Sequence, residues 1–245
     1  MVLSSGHDFG WIPWIAERVR GVPITDMTAA LLMAGVVGLL LCLLALRIGR
    51  RVRNPETYLV PDRRVTLTAL FDAGVDWLAG LAEEVMGAQA KRHLPFLGSV
   101  FFYILISNLC GLIPGFLPAT SNLNINLAIG FSVFFYYHYM GIRAHGVGPY
   151  LKHFAGPLIW IAPLFFVIEL VSHVVRPLSL SIRLFGNMTV DHAVLGVFTE
   201  LTKVIIPVAF LGLGLFVCLV QAFVFTLLSM VYIALAEAHA EESHH

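Results

Sequence analysis

Two arginines, Arg176 and Arg183, stand inside an otherwise apolar stretch that reads RPLSLSIRLFGNM from residue 176 to residue 188. A charged side chain near the centre of a bilayer costs at least ~2.5–3.5 kcal/mol on insertion scales, so it needs water or an anionic partner. A guanidinium keeps its proton and only donates hydrogen bonds. Arg183 can therefore attract an anion or repel a cation, but it cannot relay a proton by giving one up.

Other polar side chains accompany the arginines at helical spacing. On an ideal helix with ~100° per residue, the polar residues from 169 to 191 share an arc of about 120°. These residues are Glu169, Ser172, His173, Arg176, Ser179, Arg183, Asn187 and Asp191. This polar stripe is ~33 Å long, about the thickness of the hydrocarbon core. It predicts a water-accessible path across a membrane, which Arg183 divides into two sections.

Arg183 has no carboxylate within reach on its own predicted helix. Along the helix axis Glu169 is ~21 Å away and Asp191 is ~12 Å away. Either Arg183 faces water or its anion comes from another chain. In the structural alternative, the arginine side chains only extend to the membrane surface or pair with another group to stabilise packing. Arg183 lies deep in the predicted span for a side chain that must reach the surface.

Gln221 lies in the middle of the last apolar stretch. It could line the path or serve as an interhelical hydrogen-bonding group, and together with the arginine stripe we favour the path. Gly212 and Gly214 precede it and would let another helix approach closely.

The elements that must position these residues are membrane helices. Of 245 residues, 58% are hydrophobic and only 12% are charged, and the apolar residues fall in long runs. This composition predicts an all-α polytopic membrane protein with one domain, residues 1–245, and about five crossings plus one interfacial helix. The predicted segments are a first span over residues 27–46, an amphipathic interfacial helix over 67–92, a helical hairpin over 95–142 and a long two-helix hairpin over 157–237.

Charge sets the predicted orientation. Arginines 47, 50, 51 and 53 follow the first span and outweigh Arg18 and Arg20 before it. The positive-inside rule therefore places residues 1–26 outside and the C-terminus in the cytoplasm. The helix over 67–92 would lie at the cytoplasmic interface, with packing against a soluble partner subunit as the alternative.

Several functions are disfavoured by the sequence. A formal net charge of zero gives no bias toward nucleic acid. Cys42, Cys110 and Cys218 lie far apart inside apolar runs, so we expect neither a metal site nor a bound cofactor. The sequence has no phosphate-binding loop of the G-x-x-x-x-G-K-[ST] kind, so nucleotide chemistry would belong to partner subunits.

Two stretches carry a resemblance to a known family. They are RPLSLSIRLFGNM with the downstream LVQAFVFTLLSMVYIALA, and ISNLCGLIPGFLPATSNLNINLAIG. Over about residues 25–238 the chain resembles the a subunit of F-type ATP synthases, the proton-conducting stator beside a rotating ring. The resemblance implies a multisubunit complex in a bilayer, with a rotor ring of proteolipid c subunits and peripheral-stalk b subunits. It also implies that the last two helices are long and tilted beside that ring. With no transit-like leader, the expected location is a bacterial inner membrane.

The resemblance also implies roles for the polar residues. Arg183 resembles the essential stator arginine, whose anion would be the rotor carboxylate supplied in trans. Glu169 resembles the carboxylate of the cytoplasmic half-channel, with Ser172 and His173 as neighbours. Arg176 and Ser179 would then belong to the same polar stripe, with Arg176 as a supporting charge in the cytoplasmic half.

The outer half-channel departs from the family pattern. Asn187 and Gln221 match polar positions near the arginine, toward the outer side. His192 falls where the family often has an acidic residue, and Gly214 falls where some members have a histidine. Asp191 could supply the carboxylate, although it points ~100° away from His192 on an ideal helix. His192 itself suits proton exchange, with a structural histidine as the alternative.

Two other functions remain open. In a secondary transporter or ion channel, Arg183 would bind an anionic substrate, but we find no internal repeat of the kind such transporters have. A purely structural membrane anchor would leave the polar stripe unexplained.

Overall fold

The computed structural model describes residues 26–52, 67–113, 118–148, 150, 162–201 and 205–238. Within these ranges the chain is helical and contains no strand, which confirms the predicted all-α class. The predicted outer segment 1–26 (apart from Asp26), the start of the last hairpin at 157–161 and the acidic residues Glu241 and Glu242 lie outside the described residues.

Six α-helices form the described fold, and they are numbered here in chain order. They are α1 (Asp26–Val52), α2 (Leu67–Met86), α3 (Ala90–Gly111), α4 (Leu123–His145), α5 (Ala162–Leu201) and α6 (Ile205–Ala238). Helices α3 to α6 pack on one another, α2 contacts α3 and α6, and α1 lies against α3 and α4. The buried core of the bundle is apolar and includes Leu97, Ile104, Leu184, Phe225 and Ile233.

In the part of the chain that the structure describes, three segments are long and apolar enough to cross a membrane, namely Met27–Gly49, Thr68–Gly111 and Val208–Glu237. The count of five crossings therefore stays a prediction. At about 60 Å, α5 with its 40 residues is much longer than the hydrocarbon core is thick, so it must tilt or extend beyond the core.

Helix α1 buries only one stripe of its surface. Ala29, Ala30, Met33 and Val37 are buried, while Leu31, Leu39 and Leu43 on its other sides are exposed. Such an apolar outward surface suits lipid or another membrane helix rather than water.

Helix α2 packs its apolar side within the chain. Leu78 and Ala82 are buried, and the Trp77 ring contacts Phe101 of α3 and Phe223 of α6. The carboxylates Glu83 and Glu84 are exposed. Helix α2 ends at Met86 and α3 begins at Ala90, whereas the sequence placed the interfacial helix to residue 92 and the hairpin from 95. A 3-10 turn separates the two helices, and Gly87 has a φ of 65°, a conformation that favours glycine.

The turn between α3 and α4 is held by buried polar groups. The Thr120 hydroxyl donates to Asn108 Oδ1 at 2.7 Å, and Asn126 Nδ2 donates to the Thr120 carbonyl at 2.7 Å. Ser181 of α5 donates to the Asn126 carbonyl at 2.9 Å. We call this end of the bundle the turn end, since residues 118–122 lie there.

The other end is called the Glu169 end, because α5 begins near that residue. It is fastened by His93 of α3, whose Nε2 lies 3.1 Å from Glu237 Oε2 of α6. The other ring nitrogen of His93 lies 3.0 Å from the Tyr136 hydroxyl of α4. His93 is fully buried and Glu237 is nearly so. Three helices are therefore joined at one polar cluster.

Candidate functional site

The polar stripe lies on one continuous helix. Helix α5 runs through both Pro177 and Gly186 without a break in the described backbone, so the stripe keeps its spacing. Its surroundings change along its length, however. Glu169, Arg176 and Asp191 are half-buried and His173 is buried, whereas Ser179, Arg183 and Asn187 are exposed. The middle of the stripe therefore opens on the outer surface of the chain.

Arg183 is surrounded on that surface by apolar side chains. Its neighbours along α5 include Ile182, 57% exposed, and Val190, 61% exposed. The ion pairs among described residues join Lys91 to Glu83, His93 to Glu237 and His173 to Glu169. Within the described ranges, no carboxylate oxygen lies within 4.0 Å of Arg183. The source of the anion for Arg183 stays a prediction from the sequence.

At the Glu169 end, the stripe connects to α4 through hydrogen bonds. His173 Nε2 lies 3.1 Å from Glu169 Oε1, one turn back on α5. His173 Nδ1 lies 2.9 Å from the Tyr137 hydroxyl of α4. A carboxylate, an imidazole and a phenol are thus linked in a row, and each of these groups can take or give a proton. Ser172, the predicted neighbour of Glu169, is half-buried beside this row.

Arg176 packs against aromatic rings at the same end. Its guanidinium carbon lies 5.2 Å from the ring centroid of Tyr232 on α6, within the range of a cation–π interaction. The Ser179 hydroxyl donates to the Arg176 carbonyl at 3.0 Å, so it bonds its own helix. Arg176 is therefore accommodated inside the chain, unlike Arg183.

On the turn-end side of Arg183, α5 meets α6 through polar groups. Asn187 Nδ2 donates to Gln221 Oε1 at 2.6 Å. Gln221 is 5% exposed, so its side chain faces the α5–α6 contact. Gln221 thus makes an interhelical hydrogen bond and also lies beside the stripe. This position is compatible with both roles that the sequence offered, an interhelical hydrogen-bonding group or a path residue.

Asp191 approaches Gly214 of α6 closely. A methyl group added at Gly214 would come within 2.7 Å of Asp191 Oδ2 and within 2.8 Å of Leu112 Cδ2. Glycine at this position therefore makes room for the carboxylate. The sequence left open whether His192 or Asp191 faces position 214, and the described geometry puts Asp191 there. His192 is half-buried beside it.

Among the described residues, no group of three or more His, Cys, Asp or Glu side chains is arranged to hold a metal ion. Cys42, Cys110 and Cys218, all in the described part of the chain, are free thiols; Cys218 is buried and Cys42 is exposed.

Comparison with known proteins decides the family. The model of the ATP synthase A chain family matches residues 30–234. The chain belongs to the ATP synthase A chain family. An ATP synthase subunit a of Bdellovibrio bacteriovorus is 50% identical over 184 residues, covering 75% of this chain and 80% of that protein. ATP synthase subunit a 1 of Syntrophotalea carbinolica is 39% identical over 241 residues, covering 95% of this chain and 99% of that protein. An ATP synthase subunit a of Sorangium cellulosum is 40% identical over 244 residues, covering 96% of this chain and 94% of that protein.

Membership in the ATP synthase A chain family confirms the resemblance inferred from the sequence motifs. The structure adds polar residues that the stripe on α5 did not include. At the Glu169 end they are Tyr137, His138, Tyr150 and Tyr232, and at the turn end they are Ser107, Asn108, Thr120, Asn126 and Ser181. Tyr232 and all five turn-end residues lie within the stretches that carry the family resemblance. The signal for Tyr137, His138 and Tyr150 is only that each is a polar or aromatic residue within or beside an apolar run.

We expect Gly214→Ala to destabilise the α5–α6 contact by about 1–3 kcal/mol, because the added methyl group overlaps the Asp191 carboxylate and Leu112. Thermal unfolding of the purified complex measures the effect. Adding Asp191→Ala should recover part of the loss, since it removes one of the two overlapping groups. Gly212→Ala is the matched control, because nothing lies within 4 Å of a methyl group there. Equal losses at both glycines would contradict the close approach at Gly214.

Proposed function

We propose that this chain is the proton-translocating stator subunit of an ATP synthase, located in a bacterial inner membrane. In this proposal it lies beside a rotor ring of small c subunits and is held by peripheral-stalk b subunits. Family membership over residues 30–234 and bacterial relatives that carry the name ATP synthase subunit a support the proposal.

The observation that carries the proposal is the exposure of Arg183 on an apolar face. A permanent charge in that position needs an anion or water. A carboxylate on the adjacent rotor helix would supply the anion in trans. Arg183 would favour the ionised form of that carboxylate as it passes, which makes proton release there easier. Because the guanidinium never gives up its proton, it would also prevent direct leakage past the rotor.

Two half-channels would lead to this point from opposite sides of the membrane. The cytoplasmic half would use Glu169, Ser172, His173, Arg176 and Ser179, which lie toward the Glu169 end. The outer half would use Asn187, Asp191, His192 and Gln221, which lie toward the turn end. The orientation rests on the positive-inside rule, with the N-terminus outside and the C-terminus in the cytoplasm.

A secondary transporter or channel that binds an anion at Arg183 is the competing function. The two functions differ in their partner. If the stator proposal is right, the chain extracted in a mild detergent should co-purify with a ring of a small, carboxyl-bearing proteolipid. Mass spectrometry of the intact complex measures this. A chain that carries anion transport alone and purifies without such a ring would be a transporter instead.

We expect Arg183→Ala to abolish proton-driven ATP synthesis by the complete complex in reconstituted vesicles. Arg183→Lys should also fail, because an ammonium can lose its proton in such a site and lacks the planar fork of the guanidinium. Arg143→Ala is the control, since Arg143 is an exposed arginine in the last turn of α4. Normal coupled synthesis by the Lys variant would refute the role given to Arg183.

Glu169→Gln should slow proton flux through the assembled complex, because the amide keeps the shape of the carboxylate but cannot take up a proton. The measurement is the initial rate of ATP-driven acidification of vesicles, with subunit content checked on the same preparation. Glu84→Gln is the matched control, as Glu84 is an exposed carboxylate on α2. Unchanged flux in a fully assembled Glu169→Gln complex would remove Glu169 from the cytoplasmic half-channel.

A further inference from the structure

A second group of titratable side chains lies at the Glu169 end, outside the stripe on α5. His138 is on α4, and its Nδ1 lies 2.6 Å from the hydroxyl of Tyr150. Tyr150 follows α4 in the chain, after the helix ends at His145 and the backbone turns at Gly146, whose φ is 80°. Tyr150 therefore lies just beyond α4 in the chain.

His138 is in contact with the row formed by Glu169, His173 and Tyr137. Its ring centroid lies 4.9 Å from that of His173 and 4.4 Å from that of Tyr137. Phe134 covers another side of the ring at 4.2 Å. The titratable and charged groups that surround this pair of imidazoles are Tyr137 on α4, Glu169 and Arg176 on α5, Tyr232 on α6, and Tyr150. Arg176 and two imidazolium rings so close together would repel one another, so at most one of the two histidines would carry a charge at a time.

Tyr150 is fixed in place by packing. A methyl group added at Gly141 of α4 would come within 2.6 Å of Tyr150 Cε2, so the tyrosine ring lies directly on the helix backbone. Burial is the main cause that raises the pKa of Tyr150 to about 12; Arg176 opposes the shift and Glu169 adds to it. The hydroxyl is therefore neutral at physiological pH, and a neutral phenol can accept one proton while it donates another.

We propose that His138 and Tyr150 form a second proton-exchange branch of the half-channel that begins at Glu169, with Tyr150 as its outlet. This inference rests on the proposed function, because it needs an aqueous half-channel at the Glu169 end. Water of that half-channel would deliver the proton to the His138 ring. Neither residue lies on the stripe of α5, so the path would use α4 and the connection that follows it.

The transfer step conserves charge and atoms. The Nδ1–H bond of the His138 imidazolium breaks as an O–H bond forms at the Tyr150 oxygen. At the same time the original O–H bond of Tyr150 breaks, and its proton passes to a water molecule. His138 ends neutral, Tyr150 is unchanged, and one proton has moved. The reverse sequence carries a proton inward.

Tyr150→Phe tests the outlet, because it removes the hydroxyl and keeps the ring on Gly141. In the complete complex in vesicles, we expect the initial rate of ATP-driven acidification to fall about tenfold, less than the ~10²–10⁴-fold of a sole proton-transfer group, because the polar stripe on α5 is left intact. Tyr139→Phe is the matched control, since Tyr139 is on the same helix and 58% exposed. Gly141→Ala should also lower the rate, because the methyl group displaces Tyr150 without removing its hydroxyl.

His138→Ala separates proton exchange from packing. We expect the rate of coupled ATP hydrolysis by the vesicles to fall, and we expect imidazole added to the medium to restore part of it beyond the effect of imidazole on the unmodified complex, whereas pyrazole, of similar shape but far less basic, should not. A loss that imidazole does not restore would assign His138 a packing role and overturn the proposal.

Glu169→Gln measured in parallel distinguishes this inference from the function on which it rests. If Glu169→Gln slows acidification while Tyr150→Phe and His138→Ala leave it normal, the branch is wrong and the half-channel stands. If all three variants pump at the normal rate, the half-channel assignment at the Glu169 end fails as well.

Discussion

A permanent positive charge on an exposed, apolar helix face is the constraint on which the rest of this structure depends. Arg183 is exposed among apolar residues of α5, and no described carboxylate pairs with it. Its guanidinium can neither lose its proton nor be left in lipid without compensation. Arg183 therefore needs water or an anionic partner beside it. Arg176, in contrast, is accommodated internally over the Tyr232 ring.

The surroundings of the polar stripe explain how one helix could serve two separate paths. Toward the Glu169 end, α4 covers the stripe and supplies Tyr137 to His173. Toward the turn end, α6 covers it and supplies Gln221 to Asn187 and the gap at Gly214 to Asp191. Helix α6 also contacts the stripe at the Glu169 end, where Tyr232 lies against Arg176. The contacts made by α4 side chains with His173 are thus confined to the Glu169 end, whereas those made by α6 lie on both sides of Arg183.

Buried polar contacts at both ends of the bundle hold the helices in register. His93 joins α3 to Glu237 of α6 and to Tyr136 of α4 at one end. Thr120, Asn126 and Ser181 join the turn to α4 and α5 at the other end. In a membrane, apolar contacts alone do little to stop one helix from sliding or rotating against another, because lipid tails pack against the same apolar surfaces equally well. Directional hydrogen bonds at both ends limit such movements.

The sequence by itself determined the all-α class, the family and the polar stripe, because helical periodicity and the RLFGNM motif depend only on local spacing. It also indicated that the anion for Arg183 lies beyond its own helix. Tertiary structure decided what each part of the stripe faces. The contact of Tyr137 with His173 spans 36 positions and that of Asn187 with Gln221 spans 34, distances along the chain at which periodicity carries no information. Asp191 lies next to Gly214 because of how α5 is rotated against α6 and how closely the two helices approach, and only packing fixes these two properties.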